Sequence, residues 1–134
     1  MLVCFSLIVA CLSLVFSLIT WHKTCEKRKY EVADNLLSDL NKITLQYPEF
    51  RDQEFCKSAV TSSDKKKRLR YESYAILVWN YLETLYDIYG ENLRESPFYG
   101  AMKDLGDRHK TWLLSNDNMS YYNCNLIKFL RVDV

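Results

Sequence analysis

The first twenty residues constrain the fold of this chain more than any other stretch. Met1 to Thr20 contain no charged side chain, no proline and no glycine. An α-helix from Met1 to Trp21 would be about 30 Å long, which matches the hydrocarbon core of a bilayer. A helix also satisfies its own backbone hydrogen bonds in that environment. The sequence therefore predicts a transmembrane helix over residues 1–21.

A cleaved signal peptide is the alternative interpretation of this stretch. Such a peptide has basic residues before its apolar run and a small-residue cleavage site after it. This chain has no Lys or Arg before the run, and bulky residues from Leu18 to Trp21 occupy the place of a cleavage site. We therefore predict an uncleaved anchor.

Four basic residues follow the apolar stretch and are opposed there only by Glu26. They are Lys23, Lys27, Arg28 and Lys29. Positively charged flanks stay on the cytoplasmic side of a membrane. We expect a single-pass protein of the inner (plasma) membrane, with residues 22–134 forming a cytoplasmic α-helical domain. The same four side chains are candidates for contact with anionic lipid.

One side of the predicted anchor carries small residues at helical spacing: Ser6, Ala10, Ser13 and Ser17. Small side chains allow another transmembrane helix to approach closely. This face predicts packing against a second copy or a partner helix. The alternative is that these residues are merely tolerated, since no GxxxG motif is present.

The composition of residues 22–134 suits one small domain with one hydrophobic core. The chain has only 3 Gly and 2 Pro, and its apolar residues recur at helical spacing. These features predict an all-α fold, a small bundle of four to five helices. The net charge of +1 gives no overall attraction to nucleic acid. The 5 Cys form no CxxC pair, which argues against a disulfide framework.

The apolar pattern and the capping residues place five helical segments after the anchor. The longest has an apolar arc of about 200° and is expected to lie at the centre of the bundle. A bend or break is expected at Gly106, because glycine is a poor helix former. The segments are Glu26–Tyr47, Pro48–Val60, Lys65–Tyr89, Pro97–Leu114 and Met119–Arg131.

A run of basic residues opens the predicted central helix and comprises Lys65, Lys66, Lys67, Arg68 and Arg70. Positive charge at a helix N-terminus opposes the helix dipole, so helix stability does not account for the run. We expect it to contact the anionic leaflet. Nucleic acid is a weaker alternative, because the aromatic residues that follow are predicted to be buried. A further alternative is a solvated face partly paired with the acidic residues of Glu49–Glu54.

Glu83 and Asp87 lie one helical turn apart, so a shared metal ion is one hypothesis for this surface. No histidine completes a ligand set, and neither His22 nor His109 belongs to a recognised catalytic motif. The sequence contains no Gly-rich phosphate loop, no HExxH and no GxSxG. It therefore predicts a non-enzymatic protein with no catalytic residue, no metal site and no cofactor.

Two segments resemble small uncharacterised bacterial inner-membrane proteins. They are Tyr47–Arg51 and Tyr74–Tyr86, the second of which includes Trp79, Asn80, Leu82, Glu83 and Tyr86. Proteins of that group have one or two N-terminal transmembrane helices and an all-α cytoplasmic domain, and some are labelled as candidate phage-defence factors. The resemblance implies the same fold and location, and it transfers no catalytic residue.

These features favour a membrane-tethered α-helical interaction or regulatory module that binds a protein partner or another copy of itself. The first alternative is a membrane-tethered enzyme, or a toxic or defence effector. The second alternative is a binder of anionic lipid or nucleic acid that uses Lys65 to Arg70.

Overall fold

The structure, a computed structural model, describes the backbone of residues 2–130 and the side chains of residues 10–130. Every regular element in this part of the chain is helical, which confirms the predicted all-α class. The α-helices are α1 (Leu2–Gln46), α2 (Gln53–Val60), α3 (Lys65–Tyr89), α4 (Tyr99–Leu113) and α5 (Cys124–Phe129). Shorter 3-10 helices span Pro48–Arg51, Gly90–Glu95 and Asn118–Tyr121.

The first helix, α1, is a single helix of 45 residues that extends the predicted segment Glu26–Tyr47 far towards the N-terminus. Its side chains are exposed from Ala10 to Thr24, whereas Leu40 is buried against the bundle. Across the described residues, no helix has both the length and the apolarity needed to cross a membrane. Met1 and the side chains of residues 2–9, with which the predicted anchor begins, lie outside the described part of the chain.

The segment predicted as one helix, Pro48–Val60, divides at Asp52. Asp52 is extended, and its carboxylate accepts a hydrogen bond from the backbone N–H of Glu54 at 3.0 Å, which begins α2. The preceding 3-10 helix turns Phe50 into the core, where its ring stacks on Tyr74 with centroids 4.8 Å apart. The division therefore places an aromatic anchor between α1 and α3.

The central helix, α3, contacts each of the other four α-helices, and its bounds match the predicted Lys65–Tyr89. The carboxylate of Asp64 accepts hydrogen bonds from the backbone N–H groups of Lys66 and Lys67, which caps the N-terminus. Gly90 ends the helix with a φ of 55°, a conformation that glycine adopts without strain.

The fourth helix, α4, runs without interruption through Gly106, so the break expected there does not occur. Gly106 is buried, and a Cβ at this position would lie 3.4 Å from the side chain of Leu130 and 3.7 Å from that of Leu82. These are ordinary van der Waals distances, so an added side-chain carbon would fit, and the packing of α4 against the bundle offsets the poor helix propensity of glycine. The helix begins at Tyr99, later than predicted, because the hydroxyl of Ser96 donates to the preceding 3-10 helix instead of capping α4.

The last predicted segment, Met119–Arg131, is also divided. Its first part is a 3-10 helix that ends at Tyr121, after which Asn123 is extended. The side chain of Asn123 accepts a hydrogen bond from the backbone N–H of Asn125 at 2.9 Å, which begins α5. Arg131 lies outside the described residues.

Candidate functional site

The N-terminal half of α1 exposes large apolar side chains that the bundle does not cover. Phe16 is 72% exposed and Trp21 is 68% exposed. Single exposed apolar residues are ordinary in proteins, whereas a continuous patch marks a contact with another protein or with a membrane. We call this surface the apolar segment. Its large residues are Leu12, Leu14, Val15, Phe16, Leu18, Ile19 and Trp21.

The predicted helix-packing face lies partly within the described residues. Ala10, Ser13 and Ser17 are exposed, and the side chain of Ser6 lies outside the described part. The hydroxyl of Ser17 donates a hydrogen bond to the carbonyl of Ser13 at 2.8 Å. A hydroxyl satisfied within its own helix costs less to bury in an apolar environment. Packing of a second helix on this face stays a prediction.

The four basic residues after the apolar segment are all exposed. Lys27 lies 3.8 Å from Glu31, a solvent-exposed pair that contributes little to stability. Arg28 and Lys29 line a cleft of about 260 Å³ between α1 and the C-terminal end of α3. We call Lys23, Lys27, Arg28 and Lys29 the proximal basic set.

The run Lys65–Arg70 forms the first turns of α3, and we call it the distal basic run. None of its side chains forms an ion pair within the described residues, so the partial pairing with Glu49–Glu54 that was one alternative is not observed. The guanidinium of Arg70 lies 4.5 Å from the ring centre of Tyr47. The most exposed members of the run are Lys65, Lys66 and Arg68.

The two basic surfaces lie at opposite ends of the bundle, because α1 and α3 are antiparallel. Tyr30 of α1 contacts Tyr89 at the end of α3, with ring centroids 6.1 Å apart, whereas Tyr47 lies beside the start of α3. Tyr47 is about 39 Å from Trp21 along the axis of α1. That distance is several times the Debye length of about 8 Å at physiological ionic strength. One membrane surface perpendicular to α1 therefore does not attract both sets.

A groove of about 400 Å³ lies between α3 and the turn that follows α4. Its walls combine two carboxylates with three aromatic rings, and none of the lining residues is basic. We call it the acidic groove. Its lining includes Glu72, Ile76, Glu83, Trp112, Tyr121 and Tyr122.

Hydrogen bonds hold the walls of the acidic groove in place. Glu83 Oε1 accepts a hydrogen bond from the backbone N–H of Asn123 at 2.8 Å. The side-chain amide of Asn118 donates to the carbonyl oxygen of Trp112 at 2.8 Å. Burial, together with the charge of Glu83, raises the pKa of Tyr122 to about 12, so its phenol stays protonated at neutral pH.

The carboxylates of the groove form no ion pair within the described part of the chain, although Arg68 lines a neighbouring cavity together with Glu72. Neither Glu72 nor Glu83 belongs to an ion pair there. A carboxylate offers two acceptor oxygens, and only one oxygen of Glu83 receives the bond from Asn123. Both carboxylates therefore keep acceptor capacity for a cationic ligand.

The hypothesis of a metal ion shared by Glu83 and Asp87 receives no support from their placement. Glu83 lines the acidic groove, whereas Asp87 lines the cleft beside Arg28 and Lys29. Among the described residues, no group of three or more His, Cys, Asp or Glu side chains could hold a metal ion.

The core contains a histidine that the sequence pattern did not assign to it. His109 is fully buried, and its Nδ1 lies 3.0 Å from the hydroxyl oxygen of Tyr71. Its Nε2 has no hydrogen-bond partner within the described residues. Burial, with a smaller contribution from Arg108, lowers the pKa of His109 to about 3, so the ring is neutral at physiological pH.

Cys56 lies in the same part of the core and is also inaccessible. Its thiol donates a hydrogen bond to the carbonyl of Phe50 at 3.3 Å. Burial raises the pKa of Cys56 to about 11, so the reactive thiolate is not populated at neutral pH. Cys56 and His109 are therefore suited to packing and not to nucleophilic or acid–base chemistry.

Comparisons with protein families, with curated proteins and with solved structures find no match to this chain. The resemblance of Tyr47–Arg51 and Tyr74–Tyr86 to small inner-membrane proteins stays a prediction. In the structure, Phe50 and Trp79 from these two segments belong to the hydrophobic core.

Proposed function

We propose that this protein is a membrane-tethered α-helical interaction module. Residues 1–21 anchor it as a single-pass protein in the inner (plasma) membrane, and the helical bundle lies in the cytoplasm. Its role is to bind a protein partner at the membrane surface, as a scaffold, sensor or regulatory subunit.

The observation that carries the proposal is the apolar segment of α1. It continues the uncharged stretch that begins at Met1, and it projects from the bundle as part of one unbroken helix. Exposure of so many large apolar side chains to water is unfavourable, by roughly 25 cal/mol per Å² of apolar surface. A bilayer removes this cost, which supports a membrane as the partner of the segment.

The proximal basic set supports the same arrangement. These four side chains lie within eight residues after Trp21, where lipid headgroups would begin. Each basic residue close to an anionic surface contributes about 1 kcal/mol to membrane attraction. We therefore assign anionic-lipid contact to the proximal basic set. The distal basic run points to a different anionic partner, since it lies far from the membrane in this arrangement.

Catalysis is not part of the proposal. The buried His109 and Cys56 are unsuited to it, and Glu83 and Asp87 line separate cavities. These observations favour an interaction module over the alternative of a membrane-tethered hydrolase.

Membrane fractionation of cells that produce the full chain tests the proposal. We expect the chain in the membrane fraction after alkaline carbonate extraction, and we expect Leu12→Asp to shift it towards the soluble fraction, because a charged residue near the centre of a span is costly. Leu45→Asp is a matched control, since Leu45 lies on the same helix and is 77% exposed. Recovery of the unaltered chain in the soluble fraction would contradict the tether.

A further inference from the structure

We infer that the acidic groove binds an extended basic peptide segment of a protein partner, with one basic side chain at Glu72 and another at Glu83. The inference rests on the proposed function, because it names the chemistry of the partner that the interaction module recognises. It depends on three properties of the groove, namely its charge, its aromatic walls and the distance between its carboxylates.

The charge of the groove selects a cation. Glu72 and Glu83 both line it, neither belongs to an ion pair in the described part of the chain, and no basic residue lines the walls. The cleft near the membrane differs, because Arg28 and Lys29 there lie beside Asp87. Arg68 lines a neighbouring cavity beside Glu72, but its guanidinium donates to the carbonyl oxygen of Ser62, so a cationic ligand can still pair with both carboxylates.

The aromatic walls favour an organic cation over a metal ion. Tyr121 is 78% exposed at the rim, and Trp112 and Tyr122 form the wall beside it. Ammonium and guanidinium groups are attracted to the faces of such rings. Ile76 is also exposed in the groove, and it offers apolar surface to the methylene stem of a Lys or Arg side chain.

The distance between the carboxylates requires two separate positive charges. Glu72 and Glu83 are about 16 Å apart along α3, whereas a charge-assisted hydrogen bond spans about 3 Å. One ammonium group cannot contact both. In an extended peptide, side chains four residues apart point to the same side at a separation of about 13 Å. Their flexible stems cover the remaining distance, so the groove fits two basic side chains with three residues between them.

The distal basic run of a second copy has the right charge for the groove, but it lies at the wrong distance from the membrane. Two copies anchored in the same membrane with the same orientation hold equivalent residues at equal distances from it. Arg70 lies about 20 Å further from the membrane than Glu83, so the run of a neighbour reaches Glu72 without reaching Glu83. This geometry favours a segment from a different protein.

Calorimetric titration of the full chain, in nanodiscs of neutral phosphatidylcholine, tests the inference. The probe is a capped five-residue peptide with arginine at both ends and Gly-Ser-Gly between them. We expect saturable one-to-one binding, weakened about fivefold or more when glutamine replaces either arginine. Equal binding of the one-arginine peptides would overturn the two-site geometry. Binding of spermidine without binding of the peptide would overturn the assignment to a peptide.

Variants of the protein locate the binding site. Glu72→Gln and Glu83→Gln should each weaken peptide binding about fivefold, and a glutamine at position 83 can still accept the hydrogen bond from Asn123. Glu95→Gln is the matched control, because Glu95 is exposed, loses the same charge and lies outside the groove. An equal loss in the control would show that net charge, and not the groove, attracts the peptide.

The result is separable from the membrane tether. Carbonate extraction of the same variants measures anchoring without the peptide. If the variants stay in the membrane fraction and the unaltered chain binds no peptide, the inference fails and the tether stands. If the chain is soluble but binds the peptide through Glu72 and Glu83, the tether fails and the groove keeps its ligand.

Discussion

The two halves of α1 share one continuous backbone and differ in what covers their apolar side chains. In the N-terminal half, Phe16 and Trp21 are mostly exposed, whereas Leu40 in the C-terminal half is only 3% exposed because α3 and its neighbours cover it. Helix formation alone therefore does not decide where an apolar residue resides. The element that packs against the helix decides it, and for the N-terminal half we propose that this element is the bilayer.

The C-terminal half of α1 is also joined to the bundle by polar contacts. The hydroxyls of Thr44 and Tyr74 lie 3.2 Å apart, and Thr44 donates to the carbonyl of Leu40 at 2.5 Å. In the N-terminal half, the hydroxyl of Thr20 bonds within its own helix, to the carbonyl of Phe16. Thr20 and Thr44 therefore make the same kind of bond within the helix, and Thr44 also contacts the bundle.

Low pH should destabilise the bundle, and we expect this effect to be the largest difference between the bundle and the N-terminal half of α1. His109 is held neutral in the folded bundle with a pKa of about 3, while the unfolded chain takes up a proton near the ordinary value of 6.5. The unfolding free energy of the bundle therefore does not depend on His109 above about pH 6.5, and it decreases as the pH falls towards 3, by up to roughly 1.4 kcal/mol per pH unit. Urea unfolding followed by tyrosine fluorescence between pH 7 and pH 4 measures this slope.

A matched pair of histidine variants isolates that effect. His109→Gln should flatten the pH dependence, whereas His22→Gln should leave it unchanged, because His22 lies exposed on α1 outside the bundle. A slope that survives in His109→Gln would assign the acid sensitivity to other groups.

Truncation of a leucine to alanine should change the unfolding free energy of the bundle in the C-terminal half of α1 but not in its N-terminal half. Leu40→Ala removes a buried side chain and is expected to destabilise the bundle by about 2–5 kcal/mol. Leu14→Ala should leave the unfolding free energy of the bundle unchanged within about 0.5 kcal/mol, because the bundle does not cover Leu14. Denaturant titration in detergent micelles compares the two variants. Equal losses would mean that the bundle covers the apolar segment in solution.

The smallest expected difference is in binding of anionic lipid, after charge is removed from the proximal basic set or from the distal basic run. Replacing Arg28 and Lys29 with glutamine should weaken binding of anionic lipid by about 1 kcal/mol for each residue, as native mass spectrometry of the micellar protein can measure. Replacing Lys65 and Lys66 in the same way removes equal charge at the opposite end of the bundle, about 39 Å from Trp21, and should have little effect. A larger loss from the distal pair would reverse our assignment.

Local signals in the sequence sufficed to predict the central helix. The cap at Asp64 and the stop at Gly90 are chemical features of single residues, and α3 has the predicted bounds. The break expected at Gly106 does not occur, so the prediction based on helix propensity was wrong there. Helix propensity is a local quantity, and here the burial of Gly106 in the bundle keeps the helix unbroken despite a cost of about 1 kcal/mol.

The acidic groove could not be predicted from local pattern. Glu72, Ile76 and Glu83 lie on the polar side of α3, and their spacing shows that they share a face. Trp112 and Tyr122 join them only through tertiary packing across about forty residues of sequence. His109 did carry a signal, since it lies at helical spacing from Trp112, but the flanking Arg108 and Lys110 obscured it.

Two exposed cysteines provide the most direct test of the comparison between the N-terminal half of α1 and the bundle. Cys11 lies in the N-terminal half of α1 and Cys124 begins α5, and both are exposed in the described structure. A thiol within hydrocarbon does not ionise and reacts poorly with maleimide. Labelling of single-cysteine variants in inverted inner-membrane vesicles, with a maleimide that does not cross membranes, should modify Cys124 and spare Cys11. Equal labelling of both thiols would contradict the membrane tether.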